Sequence, residues 1–355
     1  MKGSELPETM AIRRNHSFIL LLTLFLAAIC QSNAFVVPTQ PMSVGRRPVG
    51  IGADPSMRIT PKQPLYPLSQ LRKHSTTIHK RSRHNQQLHL ALQEPVIQYL
   101  TSMFRCTGGV PFAQAFTINA VGISILQKPL SKMLTGAGLL NALILGTSLW
   151  QTLGWKGWSV CVAYLFLGVL VTKIRFSEKE KMGIAESRGG KRGPENLWGS
   201  AATGLACAIC SRRGSSFLGI PSNLYILAYV ASLATKLADT FASEIGKAFG
   251  KTTFLITTFQ RVEPGTEGAV SAEGTAAAAL GGFILSAYGW SLGMISAKGV
   301  AISTAAAFLA TNAESLLGAI LQDKEGLEWI TNEVINFLNT LIGGGLAILG
   351  GKLFL

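Results

Sequence analysis

Several polar side chains lie on one side of a segment that otherwise has the composition of a membrane helix. At 100° per residue they share an arc of about 140°, with apolar residues on the other side: Lys236, Asp239, Thr240, Ser243, Glu244 and Lys247. Carboxylates inside a membrane usually face a cavity and are functional. Asp239 and Glu244 lie at opposite edges of the arc and could bracket a hydrated Mg²⁺, which keeps waters and binds few carboxylates. We therefore predict Lys236, Asp239 and Glu244 as catalytic residues, Asp239 and Glu244 as metal ligands, and Ser243 and Lys247 as phosphate-binding residues. The alternative is a solvated helix face.

Basic residues precede a second predicted helix, in the run Gly190-Lys-Arg-Gly-Pro-Glu195-Asn196. Two cations beside the positive end of a helix dipole favour a bound phosphate. We predict that Lys191, Arg192, Glu195 and Asn196 bind substrate or nucleotide phosphates. The alternative is a positively charged loop that only sets the orientation in the membrane.

A glycine-rich turn, Pro264-Gly-Thr-Glu-Gly268, leads into another predicted helix. Glycines beside hydroxyl side chains let backbone N–H groups approach phosphate oxygens closely. The alternative is a plain Pro-Gly turn. The residues predicted to contact phosphate here are Gly265, Thr266, Glu267, Gly268, Ser271, Glu273, Gly274 and Thr275.

A third polar group lies near the C-terminus. Asn332, Asn336 and Asn339 share one helix face at i, i+4 and i+7. The alternative to a role in substrate binding is that these side chains form hydrogen bonds between helices. The residues predicted to bind are Asn312, Glu314, Ser315, Asn332 and Asn336.

The elements that must position these residues are membrane helices. Charged residues make up only 14% of the 355-residue chain, against about 25% in an ordinary soluble domain. Apolar segments approach the length that crosses a hydrocarbon core of about 30 Å. They run over 110–126, 135–153, 157–174, 197–211, 218–234, 275–292, 299–320 and 333–355. We predict an all-α, polytopic integral membrane protein with about seven transmembrane helices, some short or broken, over residues 95–355.

The N-terminal region has the features of a targeting sequence. Arg13 and Arg14 precede an apolar stretch, and small residues end it at Ala34, which predicts a signal peptide over 1–34. Residues 35–94 are rich in Ser, Thr, Pro and basic residues with few acids, which predicts a disordered plastid transit peptide. Phe35 at the junction resembles the bipartite presequences of algae with secondary plastids. We therefore expect a multi-pass protein of a complex, secondary-type plastid membrane.

The formal net charge of +14 does not indicate a nucleic-acid partner. Much of it lies in residues 1–94, and no nucleic-acid-binding signature follows. The cysteines give no disulfide framework, since most fall in or beside apolar helices.

The polar blocks, in this order, resemble the membrane family that includes transmembrane protein 19 and the plastid phytyl-phosphate kinase of tocopherol synthesis, in its phototroph branch. The blocks are Gly190 to Asn196, Ala234 to Lys247, Pro264 to Ser271, Glu314 to Gln322 and Thr331 to Asn336. The likeness covers roughly residues 105–355.

The resemblance implies phosphoryl transfer from a nucleoside triphosphate to phytyl phosphate, giving phytyl diphosphate for tocopherol and phylloquinone synthesis. It favours CTP over ATP as donor, with Mg²⁺ as cofactor and membrane lipid as surroundings. All five histidines lie in the N-terminal region, so a catalytic His is not expected in the membrane domain. The alternatives are another polyprenol or lipid-phosphate kinase, a cytidylyltransferase, or an ion-coupled transporter.

Overall fold

The computed structural model describes residues 98–99, 104, 109–213, 216–322, 324–327 and 329–355. The described residues from Tyr99 to Leu355 belong to one compact unit. The predicted signal peptide and transit peptide lie outside the described residues.

Helices dominate this unit, as the sequence predicts. They are α1 (Phe112–Ile125), α2 (Gln127–Leu130), α3 (Gly136–Lys173), α4 (Phe176–Lys181), α5 (Pro194–Cys210), α6 (Ser222–Phe249), α7 (Ala272–Ser291), α8 (Ala297–Leu321) and α9 (Asn332–Phe354). Two short antiparallel pairs of strands interrupt them: β1 (Ser216–Phe217) with β2 (Ile220–Pro221), and β3 (Thr253–Leu255) with β4 (Ala269–Ser271). The fold class is all-α, as predicted.

Helix α3 is folded back on itself at Gly154. That residue has φ 68° and ψ −165°, a conformation that glycine adopts without a steric penalty. The rings of Trp150 and Trp158 lie on either side of the bend with their centroids 4.9 Å apart. Arg192 reaches both Gly138 and Gly168, near the two ends of α3. The helix is therefore a hairpin of two antiparallel arms, which correspond to the separate apolar segments predicted at 135–153 and 157–174.

Within the described residues, four helices are long and apolar enough to cross a membrane: α3, α6, α8 and α9. The eight apolar segments behind the prediction of about seven spans also included both arms of α3, the 14-residue α1, the 17-residue α5 and the 20-residue α7. Helix α7 has 20 residues, which is long enough to span. It is not among the four because its many alanine and glycine residues, together with Glu273, lower its mean hydropathy. Its small residues instead allow close packing, since a Cβ on Gly281 would lie 2.9 Å from the Phe241 ring.

Helix α6 is the centre of the bundle. It packs against α3, α5, α7, α8 and α9, and its side chains are buried almost without exception from Leu224 to Thr240. A helix that is hydrophobic on all sides belongs in the interior. Of the polar stripe, Lys236, Asp239, Thr240 and Glu244 are buried inside the protein, whereas Ser243 is exposed and Lys247 is partly buried.

Candidate phosphate-binding cavity

A polar cavity of about 470 Å³ occupies one end of the bundle. Its wall combines the C-terminal parts of α3, α6 and α8 with the N-terminal parts of α5, α7 and α9. The segment between α4 and α5 and the loop from β3 to β4 complete it. Residues distant in sequence are thereby brought together at one place.

Most of the predicted site residues line this cavity. They are Arg192, Asn196, Lys236, Asp239, Ser243, Glu244, Lys247, Gly265, Thr266, Glu267, Gly268, Ser271, Gly274, Thr275, Asn312, Glu314, Ser315, Asn332 and Asn336. Three predicted residues do not line it: Lys191, Glu195 and Glu273. Lys191 and Arg192 are adjacent in an extended segment, where neighbouring side chains point in opposite directions, and Lys191 is exposed.

Three helix N-termini point into the cavity. Helix α5 begins at Pro194, α7 at Ala272 and α9 at Asn332, and residues of each first or second turn line the wall. The first N–H groups of a helix lack intrahelical partners and carry partial positive charge. In α7 one is satisfied by the N-cap, since the Gly274 N–H donates to Ser271 Oγ over 3.1 Å. Convergent N-termini favour anionic groups, phosphates among them.

Lys236 is held in a fixed position in the wall. Its Nζ donates to Asp239 Oδ2 over 2.5 Å and to Asn336 Oδ1 over 2.6 Å. All three residues are at least nine-tenths buried. A buried ammonium with charged and neutral acceptors makes stronger hydrogen bonds than an exposed one, so α6 and α9 are locked together here.

Glu244 forms a separate ion pair. Lys179 of α4, fully buried, donates to Glu244 Oε2 and, over 2.9 Å, to the backbone oxygen of Thr172. The predicted metal ligands Asp239 and Glu244 therefore lie in two different ion pairs. The sequence did not predict Lys179 as the partner of Glu244, because a lysine in the charged hexapeptide of α4 has the appearance of a solvated residue.

Arg192 is oriented by an aromatic neighbour. Its Nη1 donates to the Tyr164 hydroxyl over 2.7 Å, and the guanidinium lies 5.4 Å from the centre of the same ring. Its backbone is fixed by hydrogen bonds to Met133 and Thr135. Arg192 thus lines the cavity with its guanidinium held against α3, where Nη1 is bonded to Tyr164 and Nη2 lies beside Gly168.

The start of α5 carries a polar network. Asn196 Oδ1 accepts from the Gly193 N–H over 3.0 Å and from Arg188 over 2.9 Å, while Nδ2 donates to Glu333 over 3.1 Å. Glu195 pairs with Arg188 instead of facing the cavity. The backbone N–H at the helix start and the Arg188 guanidinium lower the pKa of Glu195. Through its hydrogen bond to Glu333, Asn196 connects the start of α5 to the start of α9.

The glycine-rich turn requires its glycines. Gly265 has φ 92° and Gly268 has φ 76°, values that side chains with a Cβ rarely adopt. A Cβ on Gly268 would lie 2.4 Å from Ala319 Cβ, and one on Gly265 would lie 2.7 Å from Ile184. The turn is therefore pressed between α8 and the segment that follows α4, where both border the cavity.

Carboxylates outnumber cations in the wall. The acidic lining residues are Glu186, Asp239, Glu244, Glu267, Glu314 and Glu333, and the basic ones are Arg192, Lys236 and Lys247. Within the described residues, no group of three or more His, Cys, Asp or Glu side chains could hold a metal ion. Further lining residues that the sequence did not single out include Thr172, Ser187 and Ser200; nothing in their local sequence marks them.

Comparison with known proteins places the chain in a family. Residues 119–344 match the family described as integral membrane protein DUF92. An uncharacterized membrane protein of Synechocystis is 48% identical over 250 residues, covering 70% of this chain and 95% of the relative. The Arabidopsis thaliana protein named VTE6, chloroplastic, is 42% identical over 243 residues, covering 67% and 72%. An uncharacterized membrane protein of Methanocaldococcus jannaschii is 31% identical over 220 residues, covering 62% and 86%.

No solved structure gives a significant match. The family match and the relatives confirm the resemblance carried by the sequence blocks, and they confirm a multi-pass membrane protein. The chain belongs to the integral membrane protein family DUF92.

Proposed function

We propose that this protein is a phytyl-phosphate kinase, which transfers a phosphoryl group from a nucleoside triphosphate to phytyl phosphate. The observation that carries the proposal is the convergence of three helix N-termini on one polar cavity inside a membrane bundle. A C20 chain lies in the bilayer, so its phosphate must be met by protein groups at the end of such a bundle. The likeness to the chloroplastic protein VTE6 supports the same assignment.

The reaction needs positioning more than proton transfer. The second pKa of a phosphate monoester is about 6, so the acceptor oxygen is already anionic near neutral pH. That oxygen attacks the terminal phosphorus of the donor, the bond to the bridging oxygen breaks, and a nucleoside diphosphate leaves. The chain's task is to hold two mutually repelling phosphate groups in line. Arg192, Lys247 and the helix N-termini supply that attraction.

Mg²⁺ is part of this proposal. Incoming phosphates add negative charge to a wall in which carboxylates already predominate, so the residues present fit a divalent cation. When bound, such an ion neutralises phosphate charge. Asp239 opens onto the cavity and suits a ligand. Glu244, paired with buried Lys179, suits holding α4 in place.

The donor and the location follow from the resemblance and the leader. Related polyprenol and phytol kinases favour CTP over ATP. The N-terminal region, with its signal-like and transit-like parts, supports a membrane of a complex plastid, and the product would feed tocopherol and phylloquinone synthesis.

The test is phosphoryl transfer by the purified full-length protein in detergent, with phytyl phosphate as acceptor and CTP, ATP or GTP as donor. We expect formation of phytyl diphosphate, with CTP preferred. Asp239→Asn keeps the side-chain shape and should lower kcat by on the order of 10²–10³, as for loss of one preorganised group. Glu325→Gln removes an exposed carboxylate between α8 and α9 and is the matched control. No transfer with any of the three nucleotides would refute the proposal.

A further inference from the structure

Two carboxylates from different helices meet in the cavity wall. Asp239 on α6 and Glu314 on α8 both line the cavity, where their side chains are within hydrogen-bonding reach of each other, and Lys236 and Glu267 line the same wall. Lys236 pairs with Asp239 and gives its second short hydrogen bond to the amide of Asn336. One ammonium group therefore faces at least two carboxylates. Like charges repel strongly in a protein interior of low dielectric, so this arrangement requires either a proton shared between the two carboxyl groups or an additional cation beside them.

A buried hydroxyl lies one helical turn from Glu314. Thr311 is 4% exposed and lines the same cavity, and its Oγ1 has no hydrogen-bond partner in the structure. Residues at i and i+3 share a helix face, so Thr311 and Glu314 present their oxygens on the same side of α8. Buried polar atoms are nearly always satisfied by a partner. The unsatisfied Thr311 oxygen therefore indicates a ligand between α6 and α8.

We propose that Asp239, Glu314 and Thr311 form a divalent-cation site between α6 and α8. Two carboxylates and a hydroxyl leave room for water and phosphate oxygens, which is the ligand pattern that Mg²⁺ adopts in sites that bind phosphates. The site specifies where the proposed kinase would hold its metal ion. The identity of the phosphate group bound to the same ion rests on the proposed function. It differs from the pair Asp239 and Glu244 that the sequence predicts, because Lys179 already neutralises Glu244.

The experiment measures metal binding without nucleotide or lipid. Full-length protein in detergent is titrated with Mn²⁺, and the signal of free Mn²⁺ is followed by electron paramagnetic resonance. We expect one Mn²⁺ to bind and Mg²⁺ to displace it. Glu314→Gln should weaken binding by roughly tenfold or more, since affinity depends on ligand charge, and Thr311→Val should weaken it by a smaller factor. Glu325→Gln removes an exposed carboxylate outside the cavity and should leave the affinity within about twofold, because affinity depends on the charge of the ligands.

Thermal unfolding distinguishes a metal ligand from a structural residue. In the wild type, Mg²⁺ should raise the Tm, since a ligand that binds only the native state stabilises it. Glu314→Gln removes a like charge beside Asp239, so its Tm without metal should equal or exceed that of the wild type, and Mg²⁺ should no longer raise it. If Glu314→Gln does not fold, Glu314→Asp retains the charge with a shorter reach and should still weaken Mn²⁺ binding.

Three results would overturn the site. The first is that the wild type binds no Mn²⁺, as expected if a proton is shared between the two carboxyl groups. The second is that Glu314→Gln binds Mn²⁺ with unchanged affinity. The third is that Glu244→Gln loses Mn²⁺ binding while Glu314→Gln keeps it. Because the titration contains no substrate, these results leave the kinase proposal standing. Conversely, absence of phosphoryl transfer with intact Mn²⁺ binding would refute the kinase alone.

Discussion

Removing the Lys179 ammonium should destabilise the protein far more than removing any exposed lysine of the same helix. In Lys179→Met, the side chain keeps its length while Glu244 loses its cation. The Lys179 side chain is 0% exposed and that of Glu244 is 4% exposed. Breaking a buried ion pair by deleting one partner costs about 3–5 kcal/mol, because the remaining charge stays buried and uncompensated. The backbone oxygen of Thr172 also loses its hydrogen bond from Lys179.

A double variant measures the interaction between Lys179 and Glu244 separately from the other contacts of each residue. Lys179→Met combined with Glu244→Gln leaves no buried charge, so it should cost less than the sum of the single changes. Directly coupled residues show interaction energies of roughly 0.5–3 kcal/mol in such a cycle. Lys181→Met is the matched control, since Lys181 is exposed and lies in the same short helix.

The measurement is thermal unfolding of each purified variant in one detergent, followed by tryptophan fluorescence, together with limited trypsin digestion. Helix α4 leads into the segment that carries Glu186, Ser187 and Gly190 to the cavity. Loss of the Lys179 anchor should therefore also speed cleavage of that segment. A Tm for Lys179→Met equal to that of Lys181→Met, with equal cleavage rates, would refute this reasoning.

Three further predictions concern a cation, a glycine and the leader. Arg192→Gln should raise the apparent KM for the phosphorylated substrates, whereas Lys191→Gln should not, because only Arg192 lines the cavity; steady-state kinetics on correctly inserted protein would contradict this if both changes behaved alike. Gly268→Ala should destabilise the protein by about 1–3 kcal/mol beyond Gly183→Ala, because both glycines have positive φ but only Gly268 has a neighbour in the space of a Cβ; equal Tm values for the two variants would disprove the steric argument. A fluorescent fusion of residues 1–94 should enter the plastid, and Phe35→Ala should hold it outside the inner compartments; unimpaired import by microscopy would remove the role of that residue.

The helices were predictable because each follows from local composition. Apolar runs of near-spanning length predict α8 and α9 within a few residues of their observed ends. The apolar run at 218–234 predicts only the first part of α6, which continues through the polar stripe to Phe249. The back-folding of α3 at Gly154 was visible only as a gap between two apolar segments. The polar stripe on α6 also follows from local periodicity, since it depends on a single helix.

The partners of that stripe could not be derived from a single sequence. Asp239 and Glu314 are separated by two helix connections, and Lys179 and Glu244 are 65 residues apart. Such pairs depend on which helices are neighbours and how they are rotated, and helical periodicity does not determine either. The same holds for the neighbours Lys191 and Arg192. Which of two adjacent side chains in an extended segment faces the cavity depends on what packs against that segment, and the local sequence does not show this.

The placement of the cavity at one end of the bundle bears on the sidedness of the reaction. Helices α3, α6 and α8 end there and α5, α7 and α9 begin there, so every polar group of the wall is reached from the same aqueous compartment. If the protein is the kinase proposed above, it takes its nucleotide from that compartment and the headgroup of its lipid from the leaflet that faces it, and it leaves the longer headgroup in the same leaflet. The lipid need not flip across the bilayer, and the helices need not alternate between two open states, as they must in a transporter. In sealed vesicles, nucleotide supplied on only one side should then support turnover.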